Sequence, residues 1–91
     1  MMTIEEFVDK VLILTKQNEY ARPVIAEFVL MGIAELISSG VSEEVAYSQK
    51  SLGFLVSYCV DMDTPNAGNI KMSDYTKKKL IQLATISKKG D

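Results

Sequence analysis

Between Val24 and Ile37 only Glu27 and Glu35 are charged. This run most constrains what the chain can become. Pro23 precedes it, at a place where the first turn of a helix loses nothing by a missing N–H. Gly40 follows it and can take the left-handed conformation that closes a helix. The punctuation predicts one helix over residues 20–39. Two glutamates eight residues apart lie close to one line along such a helix. The remaining surface is Val24, Ile25, Phe28, Val29, Leu30, Met31, Ile33, Leu36 and Ile37. A helix that is apolar nearly all round must be covered on most sides. A chain of 91 residues makes one domain, and small domains bury only a modest share of their surface. With 47% hydrophobic residues, the chain has more apolar surface than a monomer hides easily, so another chain is expected to cover the excess. The run is too short and too charged for a bilayer, which takes roughly 20 apolar residues, and no membrane partner is expected.

The rest of the chain reads as further helices. Thr3 followed by Glu6 matches a capping box, and Phe7, Val8, Val11, Leu12 and Leu14 recur at helical spacing, which predicts a first helix over residues 3–14. Lys16, Gln17 and Asn18 mark a turn. Ser42, Glu43 and Glu44 open a third helix, taken to run over residues 43–61. Its apolar residues form two stripes: Val45, Leu52, Val56, Cys59 and Val60, then Tyr47, Phe54 and Tyr58. Gly53 falls mid-helix, at a cost of about 1 kcal/mol against alanine, tolerable where a neighbouring helix crosses. Pro65, Asn66 and Gly68 make residues 62–72 a loop. A fourth helix is expected over residues 73–87, with Tyr75, Leu80, Leu83, Ala84 and Ile86 inward and Lys77, Lys78 and Lys79 solvated or paired. Residues 88–91 read as a frayed tail. No segment alternates with period two over five or more residues. The expected fold is all-α, a single domain built as a small bundle of four helices.

The chemistry of catalysis is missing from the composition. There is no histidine and one cysteine, so Ser-His and Cys-His nucleophile pairs are excluded. Cys59 sits in an apolar run and reads as a buried, inert thiol; a lone cysteine fits a reducing compartment. The acidic start, Glu5 and Glu6, differs from a secretory leader. Asp61-x-Asp63 with Asn66 only faintly matches a calcium loop, because no glutamate follows at the required position. Gly68 belongs to no phosphate loop. Three adjacent lysines fan around a helix in an acidic domain and make a poor nucleic-acid footprint. No enzyme activity, cofactor, metal or small-molecule substrate is expected.

Charge is unevenly spread. Residues 1–44 carry eight acids against three bases and residues 45–91 four acids against seven bases. Opposite ends can attract across a subunit boundary. The order of elements, with the phrase Ala34-Glu35-Leu36-Ile37-Ser38-Ser39-Gly40-Val41, then Gly68-Asn69-Ile70-Lys71-Met72-Ser73-Asp74-Tyr75 and Leu80-Ile81-Gln82-Leu83, resembles the head–tail connector (adaptor) proteins of tailed phages and prophages. The resemblance covers about residues 3 to 84. Many members carry a bulky aromatic or basic residue where this chain has Val60-Asp61-Met62.

The resemblance implies a helical subunit that forms a homo-oligomeric ring under a portal, present in the host cytoplasm during assembly and then in the virion neck. Such a ring would meet portal or tail proteins and let DNA pass without reading its sequence. It needs side-to-side heterologous contacts, not an active site. The residues expected to make subunit or partner contacts are Val24, Glu27, Phe28, Met31 and Glu35 of the apolar helix; Asp63, Pro65, Asn66, Gly68 and Lys71 of the loop; and Lys77 and Lys78 of the last helix. Two other readings compete: a small interaction or regulatory module acting as a dimer, and a DNA-binding regulator, for which the third helix offers only Gln49 and Lys50.

Overall fold

Thr3 starts the first helix in both halves of a capping box. Its hydroxyl accepts from the Glu6 N–H at 3.1 Å, and its own N–H donates to Glu6 Oε1 at 3.0 Å. Helix α1 then spans Ile4–Leu14. In the computed structural model, which describes residues 1–63 and 72–89, the elements that follow are α2 (Arg22–Ser38), α3 (Glu43–Ala46), α4 (Leu52–Asp63) and α5 (Asp74–Lys89). Short 3₁₀ turns at Glu19–Ala21 and Gln49–Ser51 lead into α2 and α4. The described residues hold no strand, and they form five α-helices, not four.

The fifth arises because the expected third helix breaks. After Ala46 the chain leaves the helical region at Ser48, whose ψ is 167°. The Ser48 hydroxyl donates to the Val45 carbonyl and accepts from the Lys50 N–H, and Ser51 Oγ donates to the Ala46 carbonyl at 2.6 Å. Serines that bond to nearby backbone offer it an alternative to the helix ladder. The Tyr47 carbonyl is thereby released, and the Met2 N–H donates to it at 2.7 Å, which ties the start of the chain to this corner.

Both ends around the apolar helix close with a left-handed residue. Lys16, at φ 57°, ends α1, with the Gln17 N–H reaching back to the Leu12 carbonyl; Gly40, at φ 97°, ends α2, with the Val41 N–H on the Leu36 carbonyl. Helix α2 is central. Its Ile25, Val29, Ile33 and Leu36 are buried against Phe7, Val8, Val11 and Leu12 of α1 and Phe54, Leu55, Tyr58 and Cys59 of α4. Gly32 lets α4 approach: a Cβ there would stand 2.7 Å from Leu55 Cδ2 and 3.3 Å from Tyr58 Cδ2.

Helix α5 is held differently. Leu83 is its one fully buried apolar residue among those described, and polar contacts fix the rest. Asp61 of α4 accepts from the Ser73 N–H at 2.9 Å and from the Ser73 and Thr76 hydroxyls, and Ser57 is hydrogen-bonded to the buried Thr76. At the other end the Ser42 N–H donates to Ser87 Oγ at 3.0 Å. Lys88 and Lys89, expected in a frayed tail, instead belong to the last turn of α5. The principal extents are 39 × 28 × 17 Å, so the chain forms a slab little more than two helices thick.

Candidate functional site

The inward face of α2 is full, yet its outward face is also apolar. Val24 is 49% exposed, Leu30 and Met31 47% each, and Ile37 40%. With Pro23 and Ala34 they surround Glu27, the one exposed charge between Val24 and Ile37. Large apolar side chains this exposed present on the order of 300 Å² of nonpolar surface, within the range of the largest patch a typical monomer shows.

The expected contact residues fall into separate places. Val24, Glu27 and Met31 lie on the outward face of α2. Phe28, Met31, Glu35 and Lys77 line one shallow pocket with Tyr58, Met62 and Met72, where α2, α4 and the start of α5 meet. Asp63 is the exposed last residue of α4, and Lys78 is exposed on α5, outside that pocket. Pro65, Asn66, Gly68 and Lys71 lie outside the described residues.

A second apolar surface escaped the sequence reading. An open groove of about 670 Å³ runs along α4, lined by Leu14, Gln49, Leu52, Gly53, Val56, Ser57, Val60 and Tyr75, and a smaller hollow edged by Lys10 and Ile13 continues it past Leu14 and Leu52. Tyr75 and Ile86, expected to face inward, are exposed, as are Leu14 and Val60, which share the helical spacing of the apolar stripes. The reason is geometric. Helix α4 has one face for α2, carrying Phe54, Leu55 and Tyr58; Leu52, Val56 and Val60 recur every fourth residue on its far side. Among the described residues that side is only edged, by Leu14 and Tyr75, and Leu52 and Val56 stay half-buried. The signal that could have shown it is Gly53. A Cβ there would meet nothing within 4 Å among the described residues, whereas the close helix crossing occurs at Gly32.

Charges are few and local. Arg22 bridges Asp9 and Glu19, both at 2.7 Å. The Arg22 hydrogen bond holds the Glu19 carboxyl below its ordinary range, and the bonds to Glu19 and Asp9 raise the guanidinium further. Burial, helped by the negative charge of Asp63, pushes the Cys59 thiol up to about 12, which keeps it protonated and unreactive. Burial and Glu35 raise Tyr58. The Asp61 carboxylate, first considered as a calcium ligand, is occupied by the start of α5. Among the described residues no three acidic, histidine or cysteine side chains converge on a metal position, and no helix is long and apolar enough to cross a membrane.

No family model, curated protein or solved structure matches this chain.

Proposed function

We propose that this chain is a structural assembly subunit, a phage or prophage connector that joins copies of itself into a ring between portal and tail. The observation that carries the reading is the outward face of α2: Val24, Leu30, Met31 and Ile37 stay open to solvent on a helix whose other side is already packed. Four large apolar side chains left open together on one helix face favour cover by another protein surface. The groove along α4 supports the same reading. A ring subunit uses two different patches, one for each neighbour, and these two surfaces lie on different helices. The sequence phrases around Ala34–Val41 and Gly68–Tyr75 supply the connector resemblance. Exposed Lys77, Lys78 and Lys88 on α5 suit sequence-blind passage of DNA, which rests on charge alone.

The test is recovery of the tagged chain from phage-producing cells, scored for portal protein. Portal should co-purify with the native chain and be lost with Leu30→Lys, whose helical circular dichroism should match the native. A two-fold dimer that carries no portal would overturn the connector reading in favour of a small dimeric interaction module.

A further inference from the structure

Two apolar surfaces on one chain can pair in two ways. Each can meet its own copy, or each can meet the other. We propose that the outward face of α2 on one copy lies in the α4 groove of the next, a heterologous contact between copies of this chain that rests on the assembly reading above.

Gly53 is the first ground. It sits in the groove near the start of α4, and among the described residues no other part of the chain comes within 4 Å of the place a Cβ would occupy. Gly32, by contrast, is the residue over which α4 packs on α2. A helical glycine with an empty front leaves a shallow floor on which a second helix can lie at close range. Leu52, Val56 and Val60 form the groove's length, with Leu14 at one end and Tyr75 at the other. A rod of apolar side chains on a helix matches that shape, and α2 displays one.

Charge is the second ground. The α2 face carries Glu27 in its middle, outside both ion pairs formed by the described residues. Facing its own copy, Glu27 would meet Glu27, and desolvated like charges oppose docking. The groove is flanked by cations instead. Lys10 edges its extension beside Ile13 and Leu14, and Lys79 stands over the Tyr75 ring, 5.5 Å from its centroid. A glutamate entering at the Leu14 end of this groove comes to Lys10.

Ring closure adds to this: in the heterologous arrangement each copy is held at both surfaces, and the contacts act together.

Single cysteines placed on the two surfaces test the pairing, since the buried Cys59 stays silent. Leu30→Cys and Val56→Cys chains are prepared separately, mixed and oxidised. The expected result is a crosslink in the mixture, with little in either variant alone. A Leu30→Cys chain that crosslinks to itself overturns the pairing while leaving self-assembly intact. Light scattering that shows a monomer at millimolar concentration, without crosslinks, overturns the pairing and the assembly reading together. Glu27→Lys should cut the mixed crosslink severalfold, and Lys10→Glu in the partner chain should restore part of it; an unchanged yield in the single variant overturns the charge assignment.

Discussion

Gly32 and Gly53 sit on the two helices of the same seam and behave in opposite ways. At Gly32 the side-chain space is already taken by Leu55 and Tyr58, so glycine is demanded by a neighbour the chain itself supplies. At Gly53 the space is empty, and the chain accepts the conformational cost of a helical glycine with no contact of its own to offset it. One side of α4 is therefore finished by folding and the other is not. The same holds for α2, with Ile25, Val29, Ile33 and Leu36 sealed and Val24, Leu30, Met31 and Ile37 open. The difference separates packing that makes the fold from surface that the fold leaves for something else.

Thiol accessibility gives the widest measurable gap between the two sides. Cys59 is buried beside the seam with its thiol pushed up to about 12, whereas its neighbour Val60 points toward the groove. In the native chain, thiol modification at neutral pH should proceed only through opening of the fold. In Val60→Cys a second thiol should react at once, roughly a thousandfold faster. Comparable rates at the two positions would mean that the seam is not sealed. The raised thiol also fixes a sign. The folded state favours the protonated form more than the unfolded state does, so the unfolded chain binds fewer protons above its ordinary value of 9.0. Stability from this group is complete below that value and falls as pH rises from about 9 towards about 12. An alkaline urea titration of native chain against Cys59→Ala isolates the slope.

How far this division was legible in the sequence differs by residue. The capping box at Thr3 and Glu6, Pro23 in the first turn of α2 and Gly40 at its end are local signals, and the structure shows each of them. The break at Tyr47-Ser48 was hidden, because Val45, Leu52 and Val56 keep a helical rhythm across it while the serine hydroxyls compete with the ladder. Apolar periodicity showed that α4 is buried somewhere but not on which side. Val60 and Tyr75 obey the spacing of core residues as well as Leu55 does, and only tertiary packing sorts them. Gly53 marks a place where a helix can cross, and its position in the sequence does not say which chain supplies that helix.

Filling the seam should be the most costly change to the fold. Gly32→Val places branched carbons where Leu55 and Tyr58 already stand, both buried with nowhere to move, and should cost about 3 kcal/mol. For a domain of this size each kcal/mol lowers Tm by roughly 4–8 °C, so thermal unfolding reads it easily. A loss under half that size would show that α2 and α4 slide apart freely, and the contrast between the two glycines would shrink.

The polar flank of α4 comes next. Asp61→Ala removes the acceptor for the Ser73 N–H and the Ser73 and Thr76 hydroxyls. The expected loss is about 2 kcal/mol, the usual scale for hydrogen bonds to a charged group. Because Leu83 is the one fully buried apolar residue of α5 among those described, the loss should appear first as faster hydrogen exchange across α5, ahead of α1 and α2. Uniform acceleration through all the helices would show that α5 folds as one unit with the seam. Tyr75 forms one end of the groove, so the same variant should also weaken self-association.

Gly53→Ala is the smallest change and the one that separates fold from surface most cleanly. Alanine is the better helix former, and among the described residues the added methyl meets no packed neighbour, so the isolated subunit should gain up to about 1 kcal/mol. The same methyl stands on the floor of the groove, where an approaching helix would have to ride higher. Stability and association should therefore move in opposite directions: a higher urea midpoint at low concentration, and a severalfold weaker association constant by sedimentation. A mutation that improves the fold and harms assembly cannot act through the fold alone. If both quantities rise together, the glycine has no role in close approach, and the groove must take its occupant above the side chains of Leu52 and Val56 without touching the backbone between them.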